Sequence, residues 1–489
     1  MCVGMFMAIL DIQVVASSLP NMAESLGIPE DQLSWIQTSY LIAEIVAIPL
    51  TGFLTRAMSI RWLFAGSTLA FTLASIGCAM SNNFGELITL RAIQGFSGGA
   101  LIPAVFTSIF ILFKGRREAL ATTIAGCFAM IAPTIGPAFG GWLTGLYSWH
   151  AIFLINVVPG LVVTGLVLTL VRVGAPNWKL LKHIDFITVI LAAIFLASLE
   201  LALKEGPKHH WSGGFVTVLL VICLFSGIAT IQQCLTRKEP FVELRHFQDR
   251  SFTCGCILSF VLGFGLFTAS YLTPIFLGFV RGHTALDIGK IMIVAGAAQL
   301  LVAPLAAFVE TRIDARKLAF IGYALFAAGL LTNAFQTPRW DFGEFFWPQV
   351  LRGAAIMLCL LPSTRLALNA RPPEQLADAS ALFNLMRNLG GAIGIALVDT
   401  LVEQRTPGHV AQLVAQLQSG SRKAAEFVGL PLQYFHDKAL GPVDAFTKSL
   451  IEPLVRKAGV TQSFNEAWAM IGLLFVLSLL VLPLIPRRR

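Results

Sequence analysis

The sequence predicts an all-α integral membrane protein, because of its composition and the long apolar runs that repeat along the chain. Of its 489 residues, 56% are hydrophobic and 13% are charged, and the mean hydropathy is +0.75. Soluble domains carry about 25% charged residues, so this composition excludes an ordinary soluble domain. A membrane-spanning helix needs about 20 mostly apolar residues, and runs of that length follow one another almost to the C-terminus.

Fourteen of these runs are predicted to span the membrane, which places both termini on the same side. They lie near residues 2–20, 33–55, 61–80, 87–113, 118–145, 151–171, 186–203, 214–235, 252–280, 287–309, 317–336, 345–369, 379–401 and 466–485. Lys and Arg accumulate in cytoplasmic loops. With the termini inside, twenty Lys and Arg residues fall in cytoplasmic loops and the C-terminal tail, against four in the short outer loops. We therefore predict that both termini are cytoplasmic.

The sequence also argues against several other kinds of partner and site. The net charge of +8 comes from basic residues in loops at one membrane face, so no nucleic-acid partner is expected. Eight cysteines lie in or beside apolar runs, which argues against a disulfide framework. Cys254 and Cys256 have no His or second cysteine pair nearby, so no metal site is expected. No basic region precedes the first run, so a cleavable signal peptide is not expected, and a natural start upstream of Met1 stays open.

Charged residues inside the apolar runs are the most informative feature. Asp11 lies in the first run, Glu44 in the second and Arg91 in the fourth. A charge in hydrocarbon costs roughly 2.5–3.5 kcal/mol on insertion scales, so such residues are rare without a function. A low dielectric favours the protonated form of a carboxyl group, so Asp11 can load a proton and lose it when a cation or water approaches. Titratable groups buried among many spans indicate a proton or ion pathway, and therefore transport.

Each of these three residues has an alternative explanation. Asp11 could be a helix-packing acid that is satisfied by Ser17 or Ser18 of its own helix. Glu44 could be a second protonation site, the acidic wall of a pocket for cations, or a residue solvated by cavity water. Arg91 always carries its charge and presents five donors. It could expel the proton from a nearby acid, or bind helix-end carbonyls and hold its span in place.

The first six and last six spans carry similar motifs, which indicates an internal repeat. Leu90–Gly95 of span 4 is followed by Pro103, and Leu351–Gly353 of span 12 is followed by Pro362. Parallel halves that flank a site at the midplane are a recognised transporter design. The alternative is that apolar sequences resemble one another without a repeat. We predict an N-terminal six-helix bundle, an inserted helix pair (spans 7 and 8) and a C-terminal six-helix bundle, at residues 1–172, 173–236 and 237–489.

One outer loop, near residues 402–464, is long and polar, and belongs to the predicted C-terminal bundle. It contains helix-compatible stretches at residues 408–418 and 422–427. Long loops cross the membrane regardless of their charge, so this loop does not change the predicted orientation. Loops of this length are usually functional or disordered. We favour a small ordered element that contacts a partner or gates the substrate path, and disorder stays open.

Four segments carry the motifs of a known family. They are Leu-Asp-Ile-Gln-Val-Val-Ala-Ser-Ser-Leu-Pro (10–20), Arg-Ala-Ile-Gln-Gly (91–95), Ala-Pro-Thr-Ile-Gly-Pro-Ala-Phe-Gly-Gly (132–141) and Trp-His-Ala-Ile-Phe-Leu-Ile-Asn-Val-Val-Pro-Gly (149–160). Together they make the chain resemble the major facilitator superfamily, and within it the fourteen-span drug:proton antiporters of the EmrB/QacA type. The resemblance covers about residues 5–485. The first motif departs from the family pattern at Gln13 and Ala16.

This resemblance implies a secondary transporter rather than an enzyme, with two six-helix bundles and an inserted helix pair. It implies proton-coupled export of amphipathic compounds by alternating access, driven by the proton gradient without another cofactor. Similarity to EmrB implies a Gram-negative inner membrane, a periplasmic adaptor of the EmrA class and a TolC-type outer-membrane channel, whereas a QacA-like protein would work alone. Two other functions stay open. They are a dedicated fatty-acid, siderophore or metabolite transporter on the same fold, and a non-transporting membrane sensor.

The site residues follow from the charges and the motifs together. We predict that Asp11, Arg91 and Glu44 couple transport to protons, since the family assigns proton transfer to the position of Arg91. Residues predicted to line the substrate cavity are Glu44, Gln13, Gln94, Arg352 and Arg387, and a purely structural role stays open for the two arginines. Glycine and proline in span 5 permit close helix approach and bending. Residues predicted to serve helix packing and conformational change are Gly95, Pro133, Gly136, Pro137, Gly140 and Gly141.

The loop after span 2 departs from the superfamily pattern. Arg56 stands where the superfamily normally has an acidic residue, and Ser59 stands where it normally has a glycine. Because the acidic side of the usual charge network is missing, we do not assign this loop the standard gating role. EmrB-type members often share this loss, so it does not count against the resemblance.

Overall fold

The computed structural model describes residues 1–28, 30–173, 176–183, 185–237, 240–368, 371–435 and 445–485. Within these ranges every regular element is a helix. The α-helices before residue 172 are α1 (Cys2–Leu26), α2 (Glu30–Leu33), α3 (Trp35–Met80), α4 (Phe84–Gly99), α5 (Leu101–Leu112), α6 (Arg116–Leu146), α7 (Ala151–Leu154) and α8 (Val157–Leu170). The helices α9 (Phe186–Glu205) and α10 (Gly214–Thr236) follow.

The second half repeats this all-helical pattern. Its α-helices are α11 (Arg250–Ile275), α12 (Ala285–Glu310), α13 (Ala315–Thr332), α14 (Phe342–Leu368), α15 (Pro373–Gln418), α16 (Arg422–Val428) and α17 (Ala445–Ser478). A π-helix (Phe276–Arg281) continues α11. The 3-10 segments are Trp178–His183, Leu244–Gln248, Asn333–Phe335, Leu432–Tyr434 and Leu479–Leu484.

Eleven helical stretches in the described residues are long and apolar enough to cross a membrane. The chain is therefore a multi-pass membrane protein, and the predicted all-α membrane fold is confirmed. The predicted runs lie in helices of the structure, but the total of fourteen spans stays a prediction. One of the eleven stretches, α3, has 46 residues. At 1.5 Å per residue it measures about 69 Å, more than twice a hydrocarbon core of about 30 Å. Because its sequence is apolar on both sides of residue 59, two spans fit within it.

Ser59 divides α3 into these two spans. Its backbone has φ 66° and ψ 158°, whereas the residues on either side are helical. This region of backbone space is essentially reserved for glycine, since a Cβ atom is strained there. The geometry gives a physical reason why the superfamily normally has glycine at this position.

The helices pack in two similar groups. In the first half α3 packs on α4 and α8, and α1 packs on α6, whereas in the second half α11 packs on α15 and α14 packs on α12 and α13. Helices α9 and α10 pack on each other, and α9 also contacts α3. The two halves meet where α6 packs on α12 and where α15 packs on α3 and α5. The domain boundaries near residues 172 and 236 stay predictions.

One close helix contact occurs at matching positions of the two halves. A Cβ atom on Gly95 of α4 would collide with the carbonyl oxygen of Tyr40 in α3. A Cβ atom on Gly353 of α14 would collide in the same way with the carbonyl oxygen of Ala295 in α12. These glycines were aligned in the predicted repeat. The shared contact supports that repeat, because composition alone would not place two glycines against equivalent backbone carbonyls.

Most of the described part of residues 402–464 is helix rather than the expected loop. Helix α15 continues to Gln418, α16 follows, and α17 already begins at Ala445. Arg405 of α15 and Glu466 of α17 form a two-pronged ion pair, with Nε–Oε2 at 2.8 Å and Nη2–Oε1 at 3.0 Å. These helices enclose a small apolar core of Leu413, Leu417, Ala424, Ala425, Val428, Leu430, Phe435, Val455 and Ala458. The ordered alternative therefore describes this region, and its contact with a partner stays a prediction.

Candidate functional site

Asp11 and Arg91 meet in the interior of the first half. Arg91 Nη1 donates a hydrogen bond to Asp11 Oδ2 and forms an ion pair with it. Asp11 is 2% exposed and Arg91 is fully buried. Removing two charges from water costs several kcal/mol each, and their attraction offsets this cost only with good geometry and further hydrogen bonds. The pair therefore requires support from its surroundings.

Three neutral polar side chains supply that support. Gln94 Nε2 donates to Asp11 Oδ1 at 3.0 Å, and Asn156 Nδ2 donates to the same oxygen at 2.8 Å. Gln94 Nε2 also donates to Ser75 Oγ at 2.8 Å, and Gln94 Oε1 accepts from Arg91 Nη1 at 2.7 Å. Every hydrogen bond to Asp11 in this network is donated to it. The geometry is therefore that of the deprotonated carboxylate, which only accepts.

The network joins four helices through one carboxylate. Asp11 comes from α1, Ser75 from α3, Arg91 and Gln94 from α4, and Asn156 from the N-cap position of α8. Arg91 and Gln94 project from the same face of α4 because they are three residues apart. Protonation of Asp11 would remove the negative charge to which all three donors are directed. A single proton can therefore change how four helices are held together.

Arg91 makes further contacts that fix its position. Its Nε donates to the carbonyl oxygen of Ile36 at 3.2 Å, and its guanidinium carbon lies 4.4 Å from the centre of the Tyr40 ring. Its Nη2 has no hydrogen-bond partner among the described residues. Arg91 therefore makes the contacts that both of its predicted roles require. It binds a backbone carbonyl, as a structural residue would, and it pairs with Asp11, the predicted proton carrier.

The hydroxyl group of Ser18 does not satisfy Asp11. Ser18 Oγ donates to the carbonyl oxygen of Val14 at 3.2 Å and lies 2.6 Å from Thr144 Oγ1. The side chain of Ser17 is outside the described part of the chain. The partners of Asp11 come instead from α4 and the start of α8, so its hydrogen bonds join different helices.

Glu44 lies close to this network without being part of it. It is 8% exposed, and it belongs to α3, one turn after Tyr40. In the part of the chain that the structure describes, its carboxylate accepts no hydrogen bond. Arg91 and Glu200 of α9 are the charged groups that act on it electrostatically. Glu44 is therefore a buried acid between the network and α9.

The other predicted residues of the first half occupy different environments. Gln13 is half-buried and packs against Gly136, where a Cβ atom would collide with the Gln13 side chain. Gln94, predicted for the substrate cavity, is fully buried within the Asp11 network. Its role in the cavity stays a prediction.

The predicted packing residues of α6 also differ among themselves. Gly140 is buried and Pro133 is half-buried, whereas the side chain of Pro137 is outside the described part. Gly141 is exposed, and a Cβ atom there would meet no atom within 4 Å. The structure therefore supports close helix packing at Gly136 and gives Gly141 no such contact.

Arg352 and Arg387 lie in the second half, away from Asp11. Arg352 of α14 is buried, with its guanidinium carbon 5.7 Å from the centre of the Trp468 ring. Arg387 of α15 lies 5.8 Å from the ring of Phe106, which belongs to α5 in the first half. Two of its guanidinium nitrogens, Nε and Nη2, have no hydrogen-bond partner among the described residues. Arg387 thus presents an unsatisfied cation where the halves face each other.

The sequence did not identify Asn156 and Ser75 as site residues. Asn156 lies in the fourth family motif, which was the available signal for it. Ser75 carried no signal, because a serine in a membrane helix is commonly satisfied by its own backbone, and Ser75 Oγ does donate to the carbonyl oxygen of Phe71 at 2.9 Å. Only the fold shows that the same hydroxyl also accepts from Gln94.

Comparison with known proteins identifies the family. The sequence pattern described as Major Facilitator Superfamily matches residues 1–395. This chain belongs to the Major Facilitator Superfamily. It is therefore a secondary transporter and not an enzyme. Two solved superfamily structures share its fold at 13% identity: the human organic anion transporter MFSD10 (TM-score 0.62, covering 98% of this chain and 97% of that one) and the proton:xylose symporter XylE (TM-score 0.59, 98% and 93%).

Among superfamily members, curated relatives include several EmrB proteins. The chain is 37% identical to the colistin resistance protein EmrB of Acinetobacter baumannii, over 84% of this chain and 81% of the relative. It is 31% identical to the multidrug export protein EmrB of Escherichia coli, over 96% and 91%. It is 28% identical to the fatty acid resistance protein FarB of Neisseria gonorrhoeae, over 97% and 92%. The predicted resemblance to EmrB is confirmed.

Proposed function

We propose that this protein exports amphipathic compounds from a bacterial cell in exchange for protons, by alternating access. The observation that carries the proposal is the buried Asp11–Arg91 pair, held by Gln94 and Asn156. A transporter that exchanges a compound for a proton needs a group that changes charge within the membrane and is linked to helix packing. Asp11 has both properties, since its carboxylate can take up a proton and its hydrogen-bond network joins four helices.

The chain's own residues suggest how protons and helix packing are linked. With Asp11 deprotonated, its carboxylate orders Arg91, Gln94 and Asn156, as in this structure. A proton that reaches Asp11 neutralises the carboxylate and leaves Arg91, which always keeps its charge, without its counter-ion. An unpaired buried charge is costly, so α4 is driven to a different packing. In the reverse direction, Arg91 favours the release of the proton from Asp11.

The relatives support export of drugs as the physiological role. Their names describe multidrug export and resistance to colistin and fatty acids, compounds with large apolar parts. Export of free fatty acids is a second candidate function, favoured by the similarity to FarB. Arg387, a cation with two unsatisfied nitrogens between the halves, would suit a carboxylate head group. A transport assay with both compounds separates the two candidates. If a fatty acid lowers transport of a cationic drug, the two compounds share one substrate path; a path dedicated to one of them would show no such competition.

The proposed location is the inner membrane, with both termini in the cytoplasm. The distribution of Lys and Arg supports this orientation. It places the middle of α3, where the two spans meet near Arg56 and Ser59, on the cytoplasmic side. It places the extensions of α15 and α17, together with α16, in the periplasm. We call these extensions and α16 the periplasmic element (residues 402–464).

We also propose that the periplasmic element binds an adaptor of the EmrA class, which leads to a TolC-type channel. The beginning of α17 carries three large apolar side chains at four-residue spacing, Phe446, Leu450 and Leu454, which are 72%, 59% and 41% exposed. Residues four apart lie on one face of a helix, so these form an apolar stripe. An exposed apolar stripe outside the membrane is typical of a protein contact.

Reconstituted transport tests the proposed function. Purified protein in liposomes should move a fluorescent amphipathic dye only when a pH gradient is imposed, and collapse of the gradient should stop it. Dye movement that is indifferent to the gradient would refute proton exchange. If the imposed pH gradient drives no dye transport and no proton flux is detected, the protein is better described as a non-transporting sensor.

A deletion tests the proposed adaptor contact. Val410 contacts Gly459, where a Cβ atom would lie 3.2 Å from the Val410 nitrogen, so a short Gly-Ser linker can replace residues 411–458. The ion pair of Arg405 with Glu466 remains. We expect dye transport in liposomes to persist while co-purification of an EmrA-type adaptor is lost. Retained adaptor binding would refute the docking role, and loss of transport would assign a gating role instead.

A further inference from the structure

A hairpin of residues 206–213 joins α9 to α10 at the membrane end that we place on the periplasmic side. Its backbone has an unusual shape, because His210 and Trp211 have φ 49° and φ 58°. Residues other than glycine rarely adopt a positive φ, and then usually singly. Such backbone outliers persist only where the surrounding structure holds them, and they cluster at functional sites. The shape of this hairpin therefore depends on the contacts that its residues make.

Trp211 closes the hairpin and also connects it to the second half. Its backbone N–H donates to the carbonyl oxygen of Gly206 at 2.8 Å, and a Cβ atom on Gly206 would lie 2.8 Å from a carbon of the Trp211 ring. The indole Nε1 of Trp211 donates to Thr400 Oγ1 of α15 at 2.8 Å. Lys208 of the hairpin also acts electrostatically on Asp399, the neighbour of Thr400. The hairpin is therefore attached to α15.

The inserted helix pair is attached to the first half at the same end of the membrane. Lys204, near the end of α9, donates through Nζ to Thr38 Oγ1 near the start of α3, and its Nζ lies 4.9 Å from the centre of the Trp35 ring. Further along the interface, Leu196 of α9 and Ile45 of α3 belong to one apolar cluster. The chain therefore leads from a contact with α3, through the hairpin, to a contact with α15.

This connection lies far from the ion pair that joins α3 and α15 directly. Arg56 of α3 pairs with Asp378 of α15. Thr38 precedes Arg56 by about five helical turns, and Thr400 follows Asp378 by about six. At 5.4 Å per turn both separations are about 30 Å, the thickness of a hydrocarbon core. The two halves are therefore joined near both membrane faces, by an ion pair at one and through the hairpin at the other.

We propose that residues 206–213 form a strap that limits how far the periplasmic ends of α3 and α15 can separate. The strap rests on the proposed alternating access and gives the inserted helix pair a part in it. In such a cycle one bundle rocks against the other around a fixed site, so a link between α3 and α15 resists opening at its own face. Its breakable point is the bond from Trp211 to Thr400, because an apolar cluster also holds α9 to α3.

The opening at the strap can be measured by electron paramagnetic resonance between two spin labels. Labels attached through non-canonical amino acids at the exposed positions of Gln32 and Gln404 leave the native cysteines in place. Thr400→Val keeps the size of the side chain but cannot accept the bond. The ratio of longer to shorter distances should then rise about fivefold, the effect of losing one neutral hydrogen bond. The matched control is Thr400→Ser, which keeps the hydroxyl group and should give the wild-type distances.

Trp211→Phe tests the same bond from the strap. It removes the indole N–H, keeps an aromatic ring beside Gly206, and should lengthen the distances as Thr400→Val does. The double variant should differ little from either single variant, since both remove one interaction. Distances that are unchanged or shorter in Thr400→Val and Trp211→Phe would overturn the strap.

Dye transport by the wild type in liposomes separates failure of the strap from failure of the proposed function. If the wild type transports the dye but neither variant lengthens the distances, the strap is wrong and export stands. If the wild type transports no dye but both variants lengthen the distances, the strap stands and the export function fails.

Discussion

Arg56 of α3 donates a hydrogen bond to Asp378 of α15, which lies 322 residues later in the chain. The bond joins the two halves close to the break at Ser59 in the middle of α3, which we place on the cytoplasmic side. Asp378 is 3% exposed, and it packs against Gly52, where a Cβ atom would collide with it. The acidic partner that the loop after span 2 lacks is therefore supplied by the other half of the protein.

We expect this ion pair to hold the halves together. In a double-mutant cycle of Arg56→Gln and Asp378→Asn, thermal unfolding should give a coupling energy of about 1 to 3 kcal/mol, the upper part of the range for contacting partners. The matched control is Arg405 with Glu466, an exposed pair for which about 0 to 1 kcal/mol is expected. Equal coupling in both pairs would contradict a special role for Arg56 and Asp378.

The sequence located the buried charges but not their partners. Asp11 and Arg91 could be predicted, because each is a charge within an apolar run and within a family motif. The partnership of Arg56 with Asp378 could not be predicted, since pairing across the halves depends on how the bundles meet. It appears only when α3 and α15 are placed together.

The periplasmic element shows a different limit of prediction from the sequence. Its polar composition predicted a loop, because membrane spans are recognised by hydropathy and a polar helix outside the membrane has no such signal. The helix-compatible stretches at residues 408–418 and 422–427 were correctly placed, since α15 ends at Gln418 and α16 spans Arg422–Val428. Their packing around Leu413 and Val455 depends on contacts between distant segments.

Ser59→Gly should stabilise the protein. Ser59 adopts φ 66° and ψ 158°, and a non-glycine residue in such a region carries about 1–3 kcal/mol of strain. We expect the free energy of unfolding to rise by about 1 kcal/mol or more, measured by thermal or denaturant unfolding in detergent. Ser59→Ala, which keeps the Cβ atom, is the control and should give no such gain. A loss of stability in Ser59→Gly would show that the serine hydroxyl is required.

Gly95→Ala should destabilise the first bundle, whereas Gly141→Ala should not. An added Cβ at Gly95 collides with the carbonyl oxygen of Tyr40, and Gly141 has open space around it. Overpacking of this kind costs about 1–3 kcal/mol. Melting temperatures of the two purified variants check the contrast. Equal melting temperatures of the two variants would contradict this prediction, because α3 and α4 could then move apart at Gly95 without a loss of stability.

His246 should make the protein less stable in acid. Burial, assisted by the positive charges of Arg371 and Arg56, lowers the pKa of His246 from 6.5 to about 4, and its Nδ1 lies 2.8 Å from Arg371 Nη1. Below pH 6.5 the unfolded chain binds a proton that the folded protein does not, so stability falls as the pH decreases towards 4. Between pH 7 and pH 5 this amounts to about 2 kcal/mol.

His246→Gln removes the titrating group and keeps an acceptor for Arg371. Unfolding should therefore depend less on pH between 7 and 5 in this variant than in the wild type. An unchanged pH dependence would show that other groups cause the acid sensitivity.

Proton release on substrate binding tests the central claim, that Asp11 is the group whose proton is exchanged for substrate. Purified protein is mixed with a transported compound in weakly buffered detergent solution, and released protons are followed with a pH-sensitive dye. The wild type should release protons on binding, whereas Asp11→Asn should bind the compound and release none. Proton release of wild-type size by Asp11→Asn would contradict the claim.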